Sequence, residues 1–202
     1  MHSEILTKEQ RKLLPVVKNF ARDFGLVGGT AVALHLGHRR SLDFDLFSNK
    51  EFGNISIQNA LKKLVKIDSV LVSRLGEYTL VIHGVKFTFF HYPFVIAYPQ
   101  RFEGIRLPDL LTLAAMKVFA LGQRAKWKDY VDLYFLLTRC LSLPEIVGKA
   151  KELFGEMFGE KLIREQLAYF DDVDYSEKVE YLPGFEVSDQ IVRDELVRLS
   201  VQ

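Results

Sequence analysis

The 202-residue chain is expected to fold as an α+β protein, a small mixed sheet with helices packed on it and a helical region after it. Three observations carry that expectation. Helical and strand-like hydrophobic spacings alternate through the first hundred or so residues. Three strand-like runs between Ser69 and Phe90 follow one another with little between them, which suits antiparallel neighbours. Beyond Leu107 the apolar spacing is helical almost to the end, so residues 1–106 should carry the sheet and 107–202 a helical bundle packed on it.

In order, Thr7 and Gln10 have the spacing of a capping box and open a helix expected to reach Asp23, with Leu13, Leu14, Val17 and Phe20 on its buried face. Pro15 marks either a kink or a second start. A short strand at Gly25–Val27 leads through Gly28-Gly29 to a helix beginning at Thr30, and then to an apolar run broken by Asp43 and Asp45. A helix over about 56–66 buries Ile57, Ala60, Leu61 and Leu64, leaving Lys62, Lys63 and Lys66 as a solvated face. Strands follow at about 69–75, 78–82 and 85–90, the last two joined by a tight turn at His83-Gly84. Pro108 and Asp109 open a helix to about Gln123, with Asp109 in its first turn. Further helices are expected over 128–139, 144–154 after a Ser142 cap, 159–170 and 187–200, with an acidic loop at 171–180. Cys140, Trp127 and the other aromatics read as packing. Among the histidines, His35 is expected on a helix, His83 in a turn, and only His38 beside the motif below.

Composition narrows the function classes. With 49% hydrophobic and 26% charged residues the chain can build a real core, and it is not disordered by composition. No apolar stretch reaches the roughly 18 residues of a membrane span, and the polar N-terminus lacks a signal pattern, so a soluble cytoplasmic protein is expected. One cysteine excludes an internal disulfide and a cysteine-rich zinc site. The net charge of +1 hides an asymmetry: residues 171–202 hold nine acidic and three basic side chains, a net of −6, leaving +7 on the rest. A basic body suits a polyanionic ligand, although scattered lysines would give the same sum.

The stretch from Leu26 to Phe47 carries the chemistry. Alternate strand residues share a face, so Asp43 and Asp45 stand side by side while Leu42, Phe44 and Leu46 take the other face. Two carboxylates this close raise each other's pKa unless a cation lies between them, which points to a divalent metal held by oxygen ligands. Magnesium carrying a nucleoside triphosphate is the usual occupant. The two glycines let a ligand approach the backbone, and the following helix N-terminus directs N–H groups at an anion. Downstream, Lys117 and Arg124 stand two helical turns apart on one face. They are either an exposed basic face or a triphosphate clamp. Asp129 can be read as a helix-dipole partner, and Asp132 as either a site residue or a buried partner of Arg124.

Gly28-Gly29-Thr30, followed by His38-Arg39-Arg40-Ser41-Leu42-Asp43-Phe44-Asp45-Leu46-Phe47, resembles the signature of the AbiEii-like branch of the DNA polymerase beta type nucleotidyltransferases. A second block resembles that branch's downstream helical motif, with Lys117, Ala120, Arg124, Lys128, Asp129 and Asp132 at its spacing. The resemblance implies a nucleotidyltransferase-type sheet, completed at the nucleotide site by the helical region, and a magnesium-dependent transfer of NMP from NTP. It implies Asp43 and Asp45 as metal ligands, and Asp43, Asp45, Lys117 and Asp132 as catalytic residues. Gly28, Gly29, Thr30, Arg40, Ser41, Lys117 and Arg124 would contact the nucleotide. Toxin–antitoxin and abortive-infection toxins belong to this branch, so RNA, in particular a tRNA end, is the implied acceptor, and an antitoxin protein an implied partner.

One departure stands out. The wider superfamily commonly adds a third carboxylate from a later strand, and here that face offers Lys86, Thr88 and Phe90, with Thr88 at the corresponding position. Either two strand carboxylates suffice, or the third comes from Glu77, Asp129 or Asp132, or turnover is weak or lost. Two rival readings therefore stand beside the enzyme: a nucleotide-binding regulator of the same fold, and an interaction protein in which Asp43 and Asp45 merely pair with Arg39 and Arg40. The basic residues Arg39, Arg40, Arg124, Lys126 and Lys128 suit an RNA acceptor, or else meet only the NTP or the chain's own acidic tail.

Overall fold

A computed structural model of the chain describes residues 1–201. Helix α1 (Lys8–Asn19) opens on the expected capping box, in which the Thr7 side chain accepts from the Gln10 N–H and the Gln10 side chain accepts from the Thr7 N–H. It runs through Pro15 as one helix and stops short of the expected Asp23. Strand β1 (Gly25–Val27) leads without a loop into α2 (Gly28–Leu36), two residues earlier than expected, and then comes β2 (Asp43–Ser48). Leu42 precedes the strand and is exposed, so only Phe44, Leu46 and Ser48 form its buried face.

Helix α3 (Asn54–Lys62) buries Ile57 and Leu61. It ends too early to carry Leu64 inward, and that residue is exposed. Strands β3 (Ser69–Arg74), β4 (Glu77–Ile82) and β5 (Val85–His91) follow as an antiparallel ribbon, with His83 and Gly84 both at positive φ in the turn between the last two. The five strands lie in the order β1-β2-β5-β4-β3. β2 pairs parallel with β5 and every other pairing is antiparallel, so the sheet is mixed.

A second hairpin, β6 (Gln100–Phe102) and β7 (Ile105–Leu107), was not expected; it turns at Glu103-Gly104, both at positive φ. Helix α4 (Leu110–Leu121) is capped by Asp109, whose carboxylate accepts from the Thr112 N–H at 2.7 Å, so Asp109 is the cap and not part of the first turn. α5 (Trp127–Arg139), α6 (Leu143–Phe154, with a Ser142–Glu145 capping box), α7 (Glu160–Leu167) and α8 (Asp189–Ser200) complete the helical half.

One hydrophobic core runs through both halves, from Ile5 to Leu199. Phe20 and Phe24 set their edges against Phe89 of the sheet, at 4.9 and 5.3 Å between ring centroids. The opposite, polar side of β2 and β5 is left open as one wall of a cleft. No described helix is long and apolar enough to cross a membrane.

Candidate active site

The cleft has a volume of about 500 Å³ and lies between the polar face of the sheet and helices α4 and α5. Strand alternation puts Asp43, Asp45 and Phe47 at half-buried positions facing it. Parallel pairing sets Lys86 beside Asp43 and Thr88 beside Asp45, and Thr79 of β4 lies next to Thr88. The face expected to hold a third carboxylate therefore holds an amine and two hydroxyls. Of the three carboxylates considered as replacements, Glu77 and Asp129 border the cleft and Asp132 does not.

Lys86 is the charged cleft side chain that local pattern did not single out. Its Nζ lies 2.8 Å from Asp43 Oδ2. Burial pulls its pKa down, but the hydrogen bond to Asp43 and the charges of Asp43 and Asp45 outweigh it, so the ammonium is held above the usual lysine range. Asp45 has no ion-pair partner among the described residues. Burial, then the neighbouring charge of Asp43, push its carboxyl above the ordinary value against the pull of Lys86, Arg124 and Lys117.

These two carboxylates, one of them unpaired and held uncomfortably as an anion, have the chemistry of a hard divalent cation site. No group of three or more His, Cys, Asp or Glu side chains suited to a metal exists among the described residues. A cation held here would take its remaining oxygens from substrate or water.

The glycines serve the carboxylates as well as any ligand. Gly28 sits at φ +68°, and a Cβ there would overlap Asp45 Oδ2; a Cβ on Gly29 would fall 2.7 Å from Arg39 Nη2 and 3.1 Å from Ser41 Oγ. Both glycines and Ser41 line the cleft at the start of α2. Thr30 does not. It is buried, and its hydroxyl donates to the Asp43 carbonyl, which fixes the start of β2 and takes that hydroxyl away from a phosphate. Arg40 also points elsewhere, with its Nε 2.6 Å from Glu180 Oε1.

Asp132 is the hub of a buried ionic cluster and not a cleft residue. Arg39 grips it with both arms, Nε to Oδ1 at 2.7 Å and Nη2 to Oδ2 at 2.8 Å. Lys117 Nζ reaches Asp132 Oδ2 at 2.7 Å and also contacts Asp129, while His38 Nε2 lies 2.7 Å from Asp132 Oδ1. Burial alone would raise the Asp132 carboxyl, yet Arg39, Lys117 and His38 hold it well below the usual carboxylate range. His38 goes the other way: burial lowers it more than Asp132 raises it, so the ring is neutral and its buried Nδ1 has no partner.

The Arg124–Asp132 pair, one of the two readings left open for Asp132, is absent among the described residues. Arg124 reaches Asp129 instead, at 3.7 Å, and is 60% exposed at the mouth of the cleft. Arg39 and Arg40 pair with Asp132 and Glu180, so neither neutralises Asp43 or Asp45, and the pairing that motivated a pure interaction protein is not made.

The sequence profile of the AbiEii toxin nucleotidyl transferases of type IV toxin–antitoxin systems matches residues 16–183. An uncharacterized protein of Aquifex aeolicus (strain VF5) is 33% identical over 175 residues, which is 83% of this chain and 84% of that protein. Among solved structures, JHP933 from Helicobacter pylori aligns with a TM-score of 0.58 at 17% identity, covering 97% of this chain and 92% of its own. MenT4, a nucleotidyltransferase toxin of Mycobacterium tuberculosis H37Rv, aligns with a TM-score of 0.59 at 13% identity, covering 88% and 74%. At these identities the two structures share the fold.

Proposed function

The chain belongs to the AbiEii nucleotidyltransferase toxin family and is a nucleotidyltransferase, and on that premise we propose that it moves NMP from a magnesium-bound NTP to an RNA acceptor, in particular a tRNA end. The observation that carries the proposal is the pair Asp43 and Asp45 on one strand face, opposite a wall that bears Lys117 and Arg124. Asp43 and Asp45 would hold the magnesium, which when bound draws charge from the reacting phosphate and eases departure of pyrophosphate.

The chain's own residues supply the rest. Gly28, Gly29 and Ser41 border the phosphate end, where the N-terminus of α2 favours negative charge. Arg124, loosely held, is free to turn its guanidinium toward the outer phosphates, and Lys117 adds a fixed positive charge behind them. Lys86 keeps an ammonium beside Asp43 where the wider superfamily commonly has a further carboxylate nearby. At the other end of the cleft Phe47, Phe90 and Tyr92 form an aromatic cluster, with Phe47 5.1 Å from each of the other two rings, and offer a stacking surface to a base. Action as a toxin restrained by an antitoxin follows from the family and belongs to the same proposal.

The test is to incubate the protein with magnesium, total cellular RNA and each α-labelled NTP in turn. Label should enter RNA of tRNA size with at least one NTP. Pyrophosphate release without labelled RNA would move the acceptor to proteins or small molecules, and nucleotide binding without pyrophosphate release would favour the regulator.

A further inference from the structure

We propose that Lys126 and Lys128 form a phosphate-binding subsite at the mouth of the catalytic cleft, and that the carboxylate of Glu177 occupies it in the free protein. The proposal rests on the transferase reading of the cleft and adds to it a ligand subsite with a built-in competitor. Lys126 caps α5 and Lys128 stands in its first turn. Both amines converge on one carboxylate from the tail: Lys126 Nζ lies 2.6 Å from Glu177 Oε1, and Lys128 Nζ contacts Oε2. All three side chains border the cleft that holds Asp43, Asp45 and Arg124.

Two ammoniums against one carboxylate leave a positive excess, to which the N-terminal end of α5 adds. A phosphate group presents the same pair of charged oxygens and can replace the carboxylate oxygen for oxygen. Hydrogen bonds from Lys126 and then Lys128 hold the Glu177 carboxyl down at about 2, so the occupant is an anion at any working pH.

The tail is pinned on either side of Glu177. The Asp174 N–H donates to the Ala125 carbonyl at 2.7 Å, and the Asp174 carbonyl accepts from the Trp127 N–H at 3.0 Å; further on, the Glu180 carbonyl accepts from the Arg40 N–H at 2.8 Å. Between these anchors, residues 175–179 make no backbone hydrogen bond to the body of the protein among the described residues. Glu177 can therefore leave the lysines without unpicking the strap. Tethering gives it a high local concentration, but each partly exposed ion pair is weak, so a ligand bringing several phosphates displaces it.

The phosphate can come from a nucleic-acid backbone or from the NTP, and two binding arms separate them. One is anisotropy of a labelled single-stranded RNA 12-mer, and the other is calorimetry with a non-hydrolysable NTP analogue and magnesium. Both compare wild type, Glu177→Gln, Lys126→Ala/Lys128→Ala and the triple variant in 50 to 200 mM salt, with melting followed in parallel.

Glu177→Gln should tighten at least one arm at 50 mM salt by about three- to tenfold, the range for releasing two partly exposed pairs. The gain should vanish in the double-lysine background. A gain in the RNA arm assigns the subsite to the acceptor backbone, and the RNA salt slope should then flatten by roughly 0.7 for each lysine contact removed. A gain in the NTP arm assigns it to the triphosphate. Equal affinities of wild type and Glu177→Gln in both arms, or a gain that survives loss of both lysines, overturns the proposal, and a drop in Tm alone leaves Glu177 as a structural clamp. Pyrophosphate release is measured alongside: if it persists while affinities stay equal, the subsite fails and the transfer reading stands, and the converse result separates them the other way.

Discussion

Asp132 is fully buried and holds Arg39, Lys117 and His38, so replacing it is first a stability experiment. Asp132→Asn should cost about 3 to 5 kcal/mol in denaturant unfolding, because it strands a buried guanidinium and weakens a buried ammonium. Asp132 is depressed in the folded state, so its contribution is full above the unfolded carboxyl value and is lost as pH falls through the folded one. His38 is also depressed, so the unfolded chain takes its proton first, and stability starts to fall below about pH 6.5. Melting across pH should therefore show an early phase shared by His38 and His35, which burial also depresses, and a later acid phase, and His38→Gln should shrink the early phase and leave the later one.

Lys117 needs the same care. Its helical spacing left an exposed basic face or a triphosphate clamp open, but its amine is buried between Asp129 and Asp132. Lys117→Ala should therefore lower Tm as well as turnover. Lys86 sits at the other side of the cleft, paired with Asp43, and would compete with the proposed cation for that carboxylate. Lys86→Met should tighten nucleotide-free Mn2+ binding about two- to fivefold, as read by electron paramagnetic resonance, the range for removing one partly exposed ion pair. Unchanged Mn2+ affinity would mean that Asp43 and Lys86 part at no cost when metal enters.

At the scale of elements, the junction of β1, α2 and β2 makes the site. Gly28→Ala combines a positive φ with a methyl in the space of the Asp45 carboxylate. It should cost about 1 to 2 kcal/mol in backbone strain and reduce turnover far more than stability, because the carboxylate proposed to hold the metal is displaced. A variant that turns over normally would show that Asp45 does not need its present position.

Much of this junction was legible locally. Alternation alone set Asp43 and Asp45 on one face, and elsewhere in the chain the Thr7–Gln10 box and the Ser142 cap marked their helix starts. What local pattern could not reveal is which of two adjacent arginines turns inward. Arg39 enters the core and Arg40 meets Glu180, because successive side chains of an extended segment point opposite ways and nothing nearby fixes the register. The β6–β7 hairpin was missed for another reason. Its strands are three residues each, too short for a period to register, and its Glu103-Gly104 turn is less distinctive than Asn-Gly. Thr30 was misread because a hydroxyl at a helix start suits an anion and a neighbouring strand carbonyl equally well, and only the packing of α2 on β2 decides between them.

At the scale of the molecule, the charge asymmetry of the sequence becomes a wrapping. The acidic tail folds back over the basic body: Glu177 meets Lys126 and Lys128, Glu180 meets Arg40, and the guanidinium of Arg193 lies over the rings of Trp127 and Tyr175. The sum of charges was readable at the outset, but the partners were not, since they lie about fifty to one hundred and forty positions apart. The α+β class and the mixed sheet were likewise readable, because strand and helix periods are local. The continuity of one core across both halves was not, since it depends on how α4 and α5 pack against α2.

The proposed transfer requires Asp43 and Asp45 to act together on a magnesium-bound NTP. The most direct measurement is pyrophosphate release, with magnesium and the NTP and RNA that give the strongest labelling, by wild type, Asp43→Asn and Asp45→Asn, each shown to be folded by its melt. Loss of metal-dependent charge stabilisation of about 4 kcal/mol predicts a fall of roughly a thousandfold in each variant, and equal silence in wild type without magnesium. Release by either folded variant near the wild-type rate would contradict the account and move the chemistry away from β2.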